Sequence, residues 1–391
     1  MNNATKFLCV AAISSIGHFL SVALYPIAGR YLSPESLSDV GVIDANVMLI
    51  TSLLGFGLSA TATRDVALSK DWTHILRNVQ SARLTLSFVF CTISAFMLLF
   101  DFVEADFLWY VLLVSPVIAM NYDFLLYGLG KPLPAAVVSF VRQSMPIISF
   151  LVALLLFDVD GFYYFFAVVF FLLLSSTAVS VVSGGRLFFA PNRSFLQVYW
   201  GAFSIGVGGI FLSFSRYGFV NFYSEMVDAK DFVVLMTFLK SILFAVACKR
   251  MLIQFFYNKL LDEKVRKCVD VLCLVSALFC FFLCVVFSEF ISGFVFGSAE
   301  YANVAVILGF GLFGVSFFVT SDARLLLYRC DNFVAYITVV VCSFGLVMLY
   351  FCREIFTLED ILLVVVVIEF LLAFLYWLAA FYKIKYVKRI L

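Results

Sequence analysis

Apolar and polar positions along this chain are grouped in long blocks rather than in the short periods typical of soluble helices or strands. Apolar runs long enough to cross a hydrocarbon core of about 30 Å recur along the whole sequence, each bounded by charged residues or by Pro and Gly. They cover residues 7–29, 40–62, 81–100, 107–129, 135–157, 162–183, 197–223, 232–256, 268–290, 303–325, 333–352 and 361–382. The pattern predicts an all-α polytopic membrane protein with about twelve transmembrane helices.

A weak internal repeat relates the two halves of the chain. Phe19-Leu20-Ser21 matches Phe211-Leu212-Ser213 at an offset of 192, and Leu125-Leu126-Tyr127 matches Leu326-Leu327-Tyr328 at an offset of 201. Because six predicted helices separate the copies, both halves have the same orientation in the membrane. The repeat predicts two six-helix lobes, 1–190 and 191–391, around a central cavity, which is transporter architecture.

Composition supports this prediction and excludes several classes of function. Of 391 residues, 64% are hydrophobic and 13% charged, which is more apolar surface than a water-soluble fold can bury. A net charge of +1 gives no reason to expect nucleic acid as a partner, and two histidines are too few for a multi-histidine metal site. Without a P-loop, GxSxG or HExxH motif, the chain is expected to be neither an enzyme nor dependent on a cofactor. The ten cysteines form no CxxC pair and are interpreted as small apolar fillers.

The distribution of basic residues predicts the orientation. With the N-terminus inside, 20 of the 26 Lys and Arg residues fall on the inner side, whereas the opposite loops carry Arg30, Lys230 and Arg353. We therefore expect a protein of the bacterial inner membrane with both termini in the cytoplasm. The first apolar run has no cleavage site after it and is expected to be a retained span. The longest inner segment, from Arg64 to about Gln80, is short and amphipathic.

Charged residues inside spans are the candidate functional residues, because a charge in the hydrocarbon core costs several kcal/mol. We expect a cationic, substrate-binding cavity and a set of acids that could bind a coupling ion. The cations are Arg216, Lys240 and Arg142 inside spans and Arg30 and Arg83 near span ends, and the acids are Asp44, Asp123 and Glu369. An excess of cations would suit an anionic substrate such as a diphosphate. The alternative is that each cation pairs with an internal acid or extends to a membrane interface.

The seventh apolar run, GAFSIGVGGIFLSFSRYG, is unusually rich in small residues directly before Arg216. Gly206, Gly208 and Gly209 could allow close packing against a neighbouring helix. They could equally form a hinge that lets a lobe bend during alternating access. Both interpretations are compatible with the sequence.

Four short motifs resemble those of a known family. Residues 29–34 (GRYLSP), 57–67 (GLSATATRDVA), 125–131 (LLYGLGK) and 294–301 (FVFGSAEY) are similar, in this order, to segments of bacterial polysaccharide exporters. The chain thus resembles the Wzx-type O-antigen flippases of the multidrug/oligosaccharidyl-lipid/polysaccharide exporter superfamily. It is somewhat shorter than is usual for that family.

The resemblance implies twelve helices in two lobes around a cationic central cavity. It also implies that the protein moves undecaprenyl-diphosphate-linked oligosaccharide repeat units from the cytoplasmic to the periplasmic leaflet by alternating access. The implied partners are this lipid-linked substrate, membrane lipid, and a polymerase and chain-length regulator of the same pathway. One alternative is an O-antigen polymerase, which the short, arginine-poor outer loops disfavour. The other is a cation-coupled multidrug exporter of the same superfamily, in which acids would dominate the cavity.

Overall fold

The computed structural model contains helices and no strands among the residues that it describes. These are 3–69, 71–100, 105–157, 159–186, 190, 195–224, 227–256, 260, 262–328, 330–351 and 355–390. The helices are α1 Asn3–Ala28, α2 Pro34–Gly55, α3 Leu58–Leu68, α4 Trp72–Leu99, α5 Ala105–Ala119, α6 Phe124–Gly128, α7 Pro132–Leu156, α8 Phe162–Ser183, α9 Phe195–Gly201, α10 Phe203–Ser213, α11 Phe219–Ser224, α12 Ala229–Phe256, α13 Glu263–Val286, α14 Ser288–Val295, α15 Ala302–Ser316, α16 Ser321–Leu327, α17 Asp331–Phe351 and α18 Leu358–Ile390. The all-α prediction is confirmed.

The predicted number of spans is also confirmed. Among the described residues, 11 helical segments are long and apolar enough to cross a membrane, and a bent pair brings the total to 12. In that pair, Phe195–Gly201 and Phe203–Gly218 meet at 75°. Helices such as α13 expose large apolar side chains, including Phe279 and Phe282. Such surfaces are stable against lipid but not against water, so the chain is a multi-pass membrane protein.

The region after the second span differs from the prediction. The apolar run 40–62 is not one helix, because α2 ends at Gly55 and Phe56 and Gly57 have φ of 36° and 69°. A Cβ on Gly57 would lie 2.8 Å from the Gly206 nitrogen, so glycine is required there for both conformation and space. The inner segment predicted to reach about Gln80 also ends earlier. The α4 helix starts at Trp72, where the Asp71 side chain accepts a hydrogen bond from the backbone N–H of Thr73 (3.2 Å).

Two compact units form the fold. Unit 1 contains residues 1–21 and 31–225, and unit 2 contains residues 22–30 and 226–391. Segment 191–225 therefore groups with the first half of the chain, while the division at 190 inferred from the repeat stays a prediction. The orientation also stays a prediction. Several of the residues counted for it lie outside the described part of the chain: Lys70, Arg193, Lys259, Arg329 and Arg353.

Each unit contains a span that is interrupted. The fourth span is interrupted at residues 120–123, between α5 and α6, and the tenth at residues 317–320, between α15 and α16. Phe318, in the second interruption, has a left-handed φ of 48°. Interruptions leave backbone N–H and C=O groups without helical partners, and in a membrane protein these groups must be satisfied inside the protein.

Candidate functional site

The interruption of the fourth span is held by two side chains from α4. Arg83 is 5% exposed; its Nη1 donates to the Asn121 carbonyl and its Nη2 to Ser59 Oγ, both at 2.7 Å. The guanidinium also lies 5.5 Å from the centroid of the Phe124 ring, within cation–π range. Gln80 Nε2 donates to the Met120 carbonyl at 3.0 Å. The carbonyls freed by the break are thus bonded by a buried cation and a buried amide.

Asp123, the last residue of this interruption, forms an ion pair with Arg142 of α7. Arg142 Nη1 lies 2.6 Å from Asp123 Oδ2, and the two side chains are 24% and 19% exposed. The charges of Arg142 and Arg83 both act on the Asp123 carboxylate. The structure therefore brings together three of the eight predicted site residues, Arg83, Asp123 and Arg142. Two of the predicted substrate-binding cations already have partners there.

The other predicted residues of this unit lie elsewhere. Arg216 is half-buried in a π-helical segment, Phe214–Gly218, that follows α10. Such segments are frequent at functional sites. Asp44 of α2 accepts a hydrogen bond from the Tyr164 hydroxyl of α8 at 2.9 Å.

Unit 2 contains the remaining three candidates. Lys240 on α12 and Glu369 on α18 are 6% and 7% exposed, and these two helices are in contact. Close by, a Cβ on Gly311 of α15 would lie 2.5 Å from the Ile242 side chain, which shows how tightly α15 packs there. Arg30 is exposed in the turn that follows α1. The membrane-spanning part of unit 2 thus buries one cation and one acid on adjacent helices.

A second group of charges in unit 2 lies outside the eight predicted site residues. Asp270 of α13 accepts hydrogen bonds from the backbone N–H and the hydroxyl of Thr320, both at 3.0 Å. Asp322 of α16 lies 3.7 Å from Lys249. Both aspartates fall within the predicted spans 268–290 and 303–325, so the signal was present in the sequence. They add two aspartates to the charged residues inside the spans, and the expected excess of cations in the cavity stays a prediction.

Gly206 and Gly209 of the seventh span have different surroundings. A Cβ on Gly206 would overlap the Phe56 ring, whereas a Cβ on Gly209 would meet nothing within 4 Å. Ser213 Oγ also donates to Ser52 Oγ at 2.7 Å, joining α10 to α2. The packing interpretation therefore applies at Gly206. It does not apply at Gly209.

No group of three or more His, Cys, Asp or Glu side chains is placed to hold a metal ion in the part of the chain that the structure describes. What the arrangement does provide is buried carboxylates and cations on adjacent helices. Protonation, ion binding or charged solutes could change the interactions of these groups.

The chain has the fold of known transporters, although the comparisons of its sequence give no match. No protein-family model and no curated protein matches the chain. An inward-facing multidrug resistance MATE family transporter of the MOP superfamily superimposes with a TM-score of 0.70 at 13% identity, over 99% of each chain. An outward-facing structure of such a transporter gives 0.61 at 14% identity, over 100% of this chain and 97% of that one. A eukaryotic MATE transporter gives 0.58 at 12% identity, over 97% and 96%. The chain has the MATE fold along its full length.

Proposed function

We propose that this protein is a secondary transporter that exports amphiphilic organic solutes by alternating access, coupled to the entry of a proton or Na⁺. The observation that carries this proposal is the whole-chain likeness to an inward-facing multidrug resistance transporter, with a TM-score of 0.70 over 99% of both chains. Such folds function by exchanging global conformations, and coupling requires a group whose charge or ligation differs between them.

Carboxylates inside the spans are suited to that coupling. Asp44 is bonded by the Tyr164 hydroxyl, and Glu369 is buried on α18. Uptake of a proton or Na⁺ by either carboxylate would change its charge or ligation at this depth, and so its interactions with the surrounding helices. Asp123, the third predicted acid, is ion-paired with Arg142 at 2.6 Å.

A second candidate function is the translocation of a lipid-linked oligosaccharide diphosphate. The specific observations in its favour are the placement of Arg216 on a π-helical segment and the burial of Lys240. Both cations could contact an anionic headgroup during passage. For either function we place the protein in a bacterial inner membrane with both termini inside, as the bias in basic residues predicts.

Purified protein in proteoliposomes tests the main proposal. We expect an imposed proton or Na⁺ gradient to drive transport of an organic cation dye such as ethidium. The Asp44→Asn and Glu369→Gln substitutions should each reduce gradient-driven transport at least about tenfold. Glu289→Gln is the matched control, because Glu289 is exposed on α14 and should leave transport unchanged. Transport that ignores both gradients would exclude ion coupling.

Surface polysaccharide distinguishes the second candidate. In a cell deleted for the native gene, Arg216→Ala and Lys240→Ala should abolish polysaccharide export if the substrate is a lipid diphosphate. Arg77→Ala removes an exposed arginine of α4 and should have no effect. Normal polysaccharide in the deletion strain itself would reject the flippase function and leave the exporter proposal intact.

A further inference from the structure

The ends of three helices of unit 2 lie next to one another, on the same side of their spans. The C-terminal part of α12, the start of α13, and α16 share a buried apolar cluster that contains Ile253, Val269, Val319 and Ala323. Each of these helices lies at the end of a candidate span, in Ala229–Ile253, Glu263–Val286 and Ala299–Leu327 respectively. The cluster therefore lies where the hydrocarbon core gives way to lipid headgroups. The bias in basic residues predicts that this is the cytoplasmic side.

The acids around this cluster are already bonded. Asp270 accepts hydrogen bonds from the backbone N–H and the hydroxyl of Thr320. Asp322 accepts one from the Ala323 N–H at 2.8 Å and also lies 3.7 Å from Lys249. Glu263 lies 2.9 Å from Lys267 Nζ. These acids therefore bond backbone N–H groups around the start of α16 and pair with neighbouring lysines.

Arg324 of α16 forms no such bond within the described part of the chain. Its half-buried guanidinium makes no ion pair and donates no hydrogen bond to any residue that the structure describes. Thr320, one turn before Arg324, is bonded to Asp270, one turn after Arg266, so the two arginines lie on neighbouring turns of α16 and α13. The charge of Arg266 acts on Arg324, and the carboxylates of Asp270 and Glu263 act on it in the opposite sense. Arg266 is 21% exposed and forms a salt bridge of 3.7 Å with Glu263, which also pairs with Lys267 at 2.9 Å. An anion bound to both guanidinium groups would relieve their repulsion.

We propose that Arg266 and Arg324 form a binding site for the phosphate group of an anionic phospholipid. The planar guanidinium donates two parallel hydrogen bonds to phosphate oxygens, which gives this residue type a preference for phosphate. Lipid phosphates lie at the membrane interface, where the ends of α13 and α16 place these arginines. Inorganic phosphate has the same chemistry, but it would not also contact the apolar surface of α13. This site is independent of the transported solute.

Lipid binding by the full-length protein tests the site. Wild-type protein in detergent should show saturable thermal stabilisation on titration with phosphatidylglycerol, and much less with phosphatidylcholine. The Arg324→Gln and Arg266→Gln substitutions should each weaken phosphatidylglycerol binding about tenfold, the loss expected for charge-assisted hydrogen bonds. Lys264→Gln is the matched control, since Lys264 is exposed in the first turn of α13 and carries the same charge. Its affinity should change less than about twofold.

Three outcomes would overturn the proposal. One is wild-type affinity in both arginine variants. Another is an equal loss in Lys264→Gln, which would indicate diffuse electrostatic attraction. The third is saturation of the site by inorganic phosphate that phosphatidylglycerol cannot displace, which would assign it to a soluble anion. If Arg324→Gln does not yield monodisperse protein, Arg324→Lys keeps the charge without the guanidinium fork and should show an intermediate loss.

Discussion

The interrupted fourth and tenth spans both bond their free backbone groups with a charged side chain, but the two charges are opposite. In unit 1, Arg83 and Gln80 of α4 donate to the carbonyls that the break at residues 120–123 leaves free. In unit 2, Asp270 of α13 accepts from the N–H and hydroxyl of Thr320, which precedes α16. The bonding side chain comes from the preceding span in both units. Its charge depends on whether it bonds the end of the upstream helix or the start of the downstream one.

The comparison shows that a charged residue inside a span need not bind a substrate. Interrupted backbone exposes carbonyls at the end of one helix segment and N–H groups at the start of the next, and a charged side chain satisfies either set more strongly than a neutral one. Arg83 uses Nη1 in this way, on the Asn121 carbonyl, and Nη2 on the Ser59 hydroxyl. Substitutions at the two interruptions should therefore affect stability first and transport second.

Replacing Arg83 should have the largest effect. Arg83→Met keeps most of the side-chain volume but leaves the Asn121 carbonyl and Ser59 hydroxyl without their donor in a buried site. We expect a loss of about 3 kcal/mol in the free energy of unfolding, the upper range for an unsatisfied buried acceptor. For a unit of this size that corresponds to a fall of roughly 6–12 °C in Tm, measurable by thermal unfolding in detergent.

The matched control on the same helix is Arg77→Met. Arg77 is exposed on α4 and should leave Tm within about 1 °C of wild type. If Arg83→Met were as stable as this control, the guanidinium would not hold the interruption. Arg83 would then be available to a substrate, as the sequence predicted.

Asp270 should be the second most sensitive position. Asp270→Asn keeps the shape but offers only one accepting oxygen, so either the N–H or the hydroxyl of Thr320 loses its acceptor. We expect a loss of about 1–2 kcal/mol, measured by the same thermal unfolding. A Thr320→Val variant removes the hydroxyl alone, and its effect should not add to that of Asp270→Asn. Full additivity of the two would show that the bonds do not stabilise the tenth span.

A third break, in the seventh span, tests whether an interrupted span needs a charged side chain at all. The bend of the seventh span at Ala202 packs against the Phe56 ring, which lies 5.7 Å from the ring of Tyr199 and 6.2 Å from that of Phe203. Gly206→Ala would press a methyl group into Phe56, and we expect a loss of about 1–1.5 kcal/mol from overpacking, read out as a fall in Tm.

Gly209 supplies the control for this break, because a Cβ there would have no neighbour within 4 Å. Gly209→Ala meets no other group and should be neutral or slightly stabilising, because alanine favours helix. If Gly209→Ala lowered transport without lowering Tm, flexibility at that position would be part of the conformational cycle.

The number, order and approximate bounds of the spans could be predicted because each depends on local composition. Breaks inside apolar runs could not. Phe56 and Gly57 are as apolar as their neighbours, so the end of α2 is invisible to hydropathy although Gly57 permits the positive φ. The interruption at residues 120–123 likewise contains only one charge, Asp123. Its position depends on which side chains reach it from α4, a tertiary property.

Depth in the membrane selected the candidate residues but did not reveal what they bond. Charge inside a span selected Arg83, Asp123 and Arg142, and the structure places the three side chains at the same interruption. It could not say that Arg83 bonds backbone while Arg142 bonds a carboxylate, because the partners are 38 and 19 residues away in sequence. Asp270 was missed because it lies within three residues of the start of a predicted span, where charge is common.

The Asp123–Arg142 pair gives the smallest expected effect and separates the two ways of using charge. Its side chains are 19% and 24% exposed, so water screens the pair more than it screens Arg83. In a cycle of Asp123→Asn, Arg142→Gln and the double variant, we expect a coupling of about 0.5–1 kcal/mol in the free energy of unfolding. A coupling above about 3 kcal/mol would show that the pair is a buried structural bond like that of Arg83. A value near the expected range, together with loss of transport in Arg142→Gln at normal Tm, would mean that the pair opens during the cycle and that Arg142 exchanges Asp123 for another anion.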